Sequence, residues 1–535
     1  MIARPVIPPV SDIKRVPVAQ SGVPVGEHRP TTLSQNPPTQ VLNVLNPQSK
    51  RRKSRMVHSR PSRVGGDPDA SSPTRDHVSS LTAPSANDAD VSQETPDAAA
   101  TLNNAPLLAT PPTAQDTLAT AATMEATVVR FSQNFPIHTP THHAPLRDTI
   151  LLTGATGALG ATLLGSLVPL ARVARIFVLN RRSPTGVPLV QRQTEALVEA
   201  GYDAKRVLAS PKVVMLESNM HEERLGLPLK LYEEIRRSIT HIFHNAYLVN
   251  FNVPLTGFTP NITTLRLLID LALSSPFPSP PRLLFVSTSD VWSQKPLLTG
   301  PVREELGPAQ YATRGGYGQS KWVCENILAV ASNQTPLRPI IARVGQISGG
   351  HNGAWNTHDW VPAMIRSSIN FGCLPMLDHD VAWIPSYAVA SAMIEMRNSA
   401  FMIHHLEHPR AVHWNSLMQP IGQALHLPLV PYPDWLARLE RSAHAIKTPA
   451  DVEEAKRENP AWSLIALFRR ANTDRSKTPW RRAVGQAVFD MSHSLAVAPS
   501  LSQENLPALN GDDALKWLYF WRKAGILDWR VHASL

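Results

Sequence analysis

The sequence predicts an α/β fold built on a doubly wound parallel sheet, with a smaller, mostly helical C-terminal substrate domain after it and a disordered N-terminal tail before it. Three observations carry this. From residue 148 short apolar runs alternate with longer amphipathic stretches, and a glycine-rich turn directly follows the first run. After about residue 350 the strand signal fades and apolar residues take helical spacing.

Taken in order, "DTILLTG", "RIFVLN", "KVVML", "THIFHN", "RLLFVSTS" and "PIIARVG" read as six buried strands, and most intervals between them can hold a helix. Strands alternating with helices imply a parallel sheet covered on both faces. Beyond residue 350, "YAVASAMIEMRN", "NSLMQPIGQAL", "PDWLARLERSAHAI" and "DDALKWLYFWRKAGIL" read as helices. This part holds most of the tryptophans and is expected to close over the strand ends, where open parallel sheets bind ligands.

Before residue 146 the composition differs. Of the 49 prolines, 20 lie there, among Ser, Thr, Asn and Gln without strand or helix periodicity. Residues 1–124 are therefore expected to be a disordered low-complexity tail and 125–147 a linker. Residues 148–350 are expected to form a Rossmann domain, and 351–535 the helical domain interleaved with it. The chain of 535 residues carries a formal charge of +10, spread thinly over its folded part, which suits a phosphate-bearing ligand or an acidic partner. The one concentrated patch, "KRRKSR", has no interleaved aromatic residues for base stacking, so nucleic acid is not expected. Two cysteines, Cys324 and Cys373, exclude a disulfide framework and a zinc site, and both read as ordinary buried thiols. With neither an apolar run of 18 residues nor an apolar core at the N-terminus, a cytoplasmic protein without membrane contact is expected.

"TGATGALG" follows the first strand and opens a helix. Gly154, Gly157 and Gly160 allow the tight turn, the approach of backbone to a pyrophosphate and the packing of helix on strand, a dinucleotide-binding arrangement. The second strand ends in "VLNRRS", where an acidic residue would select NAD. Arg181, with Arg182 beside it, instead suits a 2′-phosphate and points to NADPH. Asn219, after the third strand, and His244 to Ala246, after the fourth, would line the adenosine side.

In "GGYGQSKWVCEN", Tyr317 and Lys321 stand four apart on one helical face. A nearby ammonium is expected to lower the phenol toward neutrality and make Tyr317 a proton donor. Ser287, Thr288 and Ser289 end the fifth strand, and Thr288 is the chosen donor to a developing oxyanion. Asn261 is expected to anchor a water that relays protons to Lys321.

These stretches, with "HNAYLVNF", "ARVGQISG", "WIPSYAVAS", "LVPYPDWLARLE" and "WLYFWRKAGIL", resemble the extended short-chain dehydrogenases. More narrowly they resemble the thioester reductase domains of carboxylic acid reductases, alpha-aminoadipate reductases and fungal nonribosomal-peptide-synthetase-like reductases. The resemblance covers about residues 126 to 530. It implies reduction by NADPH of an acyl thioester, on a phosphopantetheine carrier protein or coenzyme A, to an aldehyde, without a metal. It places Thr288, Tyr317 and Lys321 on catalytic positions, and Gly154, Thr156, Gly157, Gly160 and Arg181 on cofactor positions. Ser218 and Asn219 replace the usual Gly-Asp. No adenylation domain or carrier attachment site is legible upstream, so either a free-standing reductase or a lost upstream region is expected. Two other readings stay open: reduction of free aldehydes or ketones, and a non-catalytic NADP-binding scaffold.

Overall fold

The computed structural model describes residues 113–296, 300–444, 457–473 and 479–527. The basic patch "KRRKSR", and the expected tail as far as residue 112, lie outside them. The first described element is a helix, α1 (Ala114–Phe131), so the boundary expected at residue 124 falls inside an ordered segment. Thr113 caps it in a reciprocal pair with Asp116, and Ala121, Met124 and Val128 form its buried stripe. The stripe is set among alanines and threonines on both sides, which is why its periodicity is faint. Arg266 then fixes the exit from the helix by donating to the carbonyls of Phe131, Gln133 and Asn134 at 2.8, 2.6 and 2.9 Å.

Six expected strands form where the apolar runs lie: β1 (Asp148–Thr153), β2 (Val173–Asn180), β3 (Val213–Glu217), β4 (His241–His244), β5 (Arg282–Thr288) and β6 (Ile340–Val344). The crossovers carry α2 (Ala158–Leu167), α3 (Leu189–Glu199), α4 (Leu229–Arg236), α5 (Thr259–Leu273) and α6 (Gly316–Gln334). A seventh strand, β7 (Ile403–Leu406), comes from the part expected to be helical. It pairs in parallel with β6 and completes a sheet ordered β7-β6-β5-β4-β1-β2-β3. The Rossmann unit therefore extends past residue 350. The run "IHHL" hides this strand, because two histidines interrupt its apolar character. Both are buried: His404 Nε2 meets Ser399 Oγ at 2.9 Å, and His405 Nδ1 meets the Asp490 carbonyl at 2.6 Å.

The strand order reverses between β1 and β4, which opens a crevice at the carboxyl ends of those strands. One face of the sheet is covered by α1, α5 and α6. The other is covered by α2 and by α8 (Ser386–Glu395), a late segment that packs directly on α2. The helical part supplies α7 (Trp360–Phe371), α9 (Trp414–Leu425), α10 (Tyr432–His444) and α11 (Gly511–Lys523). These surround a separate core in which Trp355, Trp383, Trp414, Trp435, Trp517 and Trp521 are buried. Some indole N–H groups there find acceptors, Trp414 the Pro375 carbonyl at 2.9 Å and Trp435 Ser368 Oγ at 2.8 Å, whereas that of Trp383 is buried without one among the described residues. Among the described residues no helix is long and apolar enough to cross a membrane.

Candidate active site

The turn from β1 into α2 is held from three sides. Gly154 takes φ +74°, and a Cβ there would stand 2.7 Å from the Ala246 Cα, so the ends of β1 and β4 nearly touch at the crevice. Thr153 Oγ1 accepts the N–H groups of Asn245 and Ala246 at 3.1 and 3.0 Å. Gly160 lies so close to the loop that a Cβ would meet the Gly154 carbonyl oxygen at 2.1 Å. Two residues outside the expected set complete the support: buried Asn180 accepts the Thr156 N–H at 3.2 Å, and buried Gln193 donates to the Ala155 carbonyl at 2.8 Å. No side chain caps α2, whose N-cap is Gly157, so its first-turn N–H groups remain available to an anion. A cavity of about 250 Å³ lies beside the turn, with Thr156, Gly157, Asn356 and Ser386 in its wall. The Asn180 amide Nδ2 is buried without a hydrogen-bond partner. Close glycines, open amides and an orphaned donor together fit a pyrophosphate-bearing cofactor.

Arg181 and Arg182 are exposed just past β2, and among the described residues neither guanidinium has an ion-pair partner. The acidic end of β3, Glu217, is paired with Arg192, which also donates to the Arg181 carbonyl at 3.2 Å. Asn219 is half-buried and donates to Glu222 Oε1 at 2.7 Å.

On the reacting side, Thr288 ends β5 opposite Val344 of β6. Its Oγ1 accepts the Asp290 N–H at 3.2 Å and shares a hydrogen bond with the Tyr317 hydroxyl. Ser287 faces the other way and donates at 2.5 Å to Glu325, which is fully buried and paired with Arg343 at 2.6 Å. The alternation of a strand thus separates the reacting hydroxyl from the structural one. Tyr317 sits in the first turn of α6, where Gly316 is obligatory, since a Cβ there would lie 2.2 Å from the Val253 carbonyl oxygen. Its ring meets those of Phe251, Tyr247 and Phe258 with centroids 5.3, 6.2 and 6.2 Å away.

Lys321 is 2% exposed and donates to the Val286 carbonyl at 2.6 Å. Its Nζ stands 3.4 Å from the Tyr247 ring centre and 5.8 Å from that of Tyr317. Burial lowers Lys321 to about 7, against an upward pull from Cys324 and Glu325. The expected depression of the phenol does not occur. Burial raises Tyr317 well above its usual range, the Asp290 carboxylate adds to this, and only the Thr288 hydrogen bond opposes it. The ammonium is turned to a carbonyl and the Tyr247 ring, so desolvation of the hydroxyl decides the outcome. Asp290 is itself paired with Arg314 at 2.5 Å. The signal for this pair was its place, two residues after Thr288 and three before Tyr317. Asn261 lies in the first turn of α5, on the helix that follows β4. Cys324 is buried 3.6 Å from the Tyr247 hydroxyl, and Cys373 is buried too. Among the described residues no group of three or more His, Cys, Asp or Glu side chains is placed to hold a metal.

Residues 152–393 match the NAD-binding domain family described as male sterility protein. The chain is 42% identical over 407 residues to adenylate-forming reductase Nps10 of Heterobasidion annosum, covering 76% of this chain and 37% of that protein. It is 34% identical over 430 residues to adenylate-forming reductase Nps11 of Serpula lacrymans, covering 75% and 38%. The chain thus spans less than two-fifths of the length of these relatives. Among solved structures, the terminal R domain from the myxalamid PKS-NRPS biosynthetic pathway superposes with a TM-score of 0.62 at 27% identity, covering 76% of this chain and 98% of that one.

Proposed function

From the premise that residues 152–393 form a reductase-type NAD-binding domain of the male sterility family, we propose that the chain uses NADPH to reduce an acyl thioester to an aldehyde. The thioester is carried on a phosphopantetheine carrier protein or on coenzyme A. The observation that carries this reading is the meeting of Thr288 and Tyr317 at the carboxyl edge of the sheet, one strand from the crevice, with Lys321 behind them.

The glycine turn, the open amides of α2 and Arg181 with Arg182 are assigned to the cofactor, with Thr156, Asn219 and Ala246 along its groove. When bound, NADPH supplies the hydride. Thr288 accepts from the Asp290 N–H, which leaves its own hydroxyl hydrogen to aim at the thioester carbonyl oxygen. Tyr317, held protonated by burial, donates to the same oxygen as negative charge develops and neutralises it. The resulting hemithioacetal breaks its C–S bond: the hydroxyl proton leaves, the carbonyl re-forms as an aldehyde, and the thiolate takes a proton to depart as thiol. Lys321 holds the floor of the site by fixing the Val286 carbonyl and the Tyr247 ring.

The test is NADPH consumption over aryl, aliphatic and aminoacyl thioesters with mass spectrometry of the product. Tyr317→Phe is expected to cut turnover by about 10²-fold or more while NADPH still binds. Unchanged turnover in that variant removes Tyr317 from the mechanism. Faster turnover of simple aldehydes or ketones than of any thioester replaces the proposed substrate class.

A further inference from the structure

The loop after β4 carries an apolar surface that the chemistry above leaves unused. Within "HNAYLVNF", Leu248, Val249 and Phe251 are 39%, 64% and 61% exposed. Single exposed hydrophobic residues are ordinary, whereas three within four positions beside a reacting phenol need an occupant. Their backbone is not loose. A Cβ on Gly316 would strike the Val253 carbonyl oxygen at 2.2 Å, and one on Gly315 would stand 3.8 Å from the Phe251 carbonyl oxygen. The loop is therefore seated on the first turn of α6 and shares a position with Tyr317.

The Phe251 ring meets the Tyr317 ring edge to face at 5.3 Å. Buried Phe258 and half-buried Tyr247 lie against the same ring. Nearby charges are committed elsewhere: Lys321 to the Val286 carbonyl beneath Tyr247, and Arg314 to Asp290.

We propose that Leu248, Val249 and Phe251 form the acyl-binding lip of this site and select thioesters whose acyl group is apolar and uncharged. The proposal rests on the thioester-reductase reading. A carbonyl within hydrogen-bond reach of Tyr317 and Thr288 brings its substituent against Phe251, because the two rings are in contact. An alkyl or aryl group there covers apolar surface that water now wets, and gains by it. A carboxylate or ammonium in the same place sheds hydration without meeting a free counter-charge.

The experiment is steady-state NADPH consumption by the full chain with acetyl, hexanoyl, benzoyl and succinyl thioesters of coenzyme A, in the wild type, Phe251→Ala and Phe251→Leu. The wild type is expected to favour hexanoyl and benzoyl over acetyl and succinyl by about tenfold or more in kcat/KM, the scale on which apolar pockets discriminate. Phe251→Ala is expected to lower the hexanoyl-to-acetyl ratio about tenfold, chiefly through KM, and Phe251→Leu to restore much of it. A preference for succinyl, an unchanged ratio in Phe251→Ala, or an equal loss of kcat on every acyl group overturns the lip. So does a loss seen with hexanoyl on a carrier protein but absent with hexanoyl-coenzyme A, which assigns the loop to protein docking. If no thioester reacts but hexanal and acetaldehyde are reduced, the proposed function fails and the same ratios on those aldehydes decide the lip. Turnover of neither class overturns both.

Discussion

Lys321 enters the folded protein at a cost that depends on pH. Its ammonium is lowered from the usual 10.5 to about 7 by burial, while in the unfolded chain it keeps the usual value. Between those values the unfolded state holds more protons than the folded one, so this residue makes stability rise with pH across the window and withholds that stability below about 7. Glu407, raised to about 8 by burial, works in the opposite direction up to that pH, so a difference between variants is needed. The wild type minus Lys321→Met difference in unfolding free energy is expected to rise by about 2 kcal/mol from pH 6 to 9 in urea titrations. A flat difference shows that Lys321 is not desolvated. Arg181 is a different case, exposed and without an ion-pair partner among the described residues. Arg181→Ala is expected to raise KM for NADPH about tenfold and leave that for NADH nearly unchanged, as loss of a phosphate contact on the surface should. An unaltered NADPH preference moves the 2′-phosphate contact to another residue. The sequence placed both residues by motif and spacing, but it carried no information about desolvation. The electrostatic relation between Lys321 and Tyr317 was therefore misjudged even though their positions were legible.

At the scale of elements, the six expected strands were legible because each carries a short apolar run, and β1 and β6 are buried along their whole length. β7 was not, since His404 and His405 are buried only through partners distant in sequence. α1 was hidden for another reason: its short stripe of Ala121, Met124 and Val128 is diluted by alanines and threonines, and its exit is held by Arg266, which lies 132 to 135 positions away from the carbonyls it holds. The turn between β1 and α2 shows what a glycine pattern does and does not specify. Three glycines look equivalent in "TGATGALG", yet their surroundings differ. A Cβ at Gly160 would overlap the Gly154 carbonyl at 2.1 Å, whereas one at Gly157 would meet the same oxygen at an ordinary 3.6 Å. Gly160→Ala is therefore expected to push α2 off β1 and destabilise the fold by about 1–3 kcal/mol, with NADPH affinity falling as well. Gly157→Ala is expected to cost less than about 1 kcal/mol of stability, the range of an N-cap change. Thermal melts of the two variants decide this, and equal losses would mean that the packing of α2 on the loop does not set their difference.

For the described chain as a whole, the arrangement of cores bears on how it unfolds. The helical part has its own tryptophan-rich core, which on its own suggests an independently stable unit. The path of the chain argues the other way. After α7 it returns to the sheet through α8, which packs on α2, and through β7, which pairs with β6. Later still, the Asp490 carbonyl accepts from His405 Nδ1 of β7 at 2.6 Å, and Ser494 donates to buried Glu304 at 2.9 Å. Removing the helical core would strip the sheet of an edge strand and part of one face, leaving buried groups such as Arg343 and Glu325 open to water. Of the 12 tryptophans, only Trp292 and Trp322 lie before residue 350, so intrinsic fluorescence reports mainly on the helical part. Binding of NADPH, the cofactor proposed above, would report on the Rossmann unit. Urea transitions followed by tryptophan fluorescence and by far-ultraviolet circular dichroism are expected to coincide, and NADPH is expected to shift both midpoints upward together. A fluorescence transition that precedes the dichroism transition and ignores NADPH would mean that the two cores unfold separately, despite the strand and the helix they exchange.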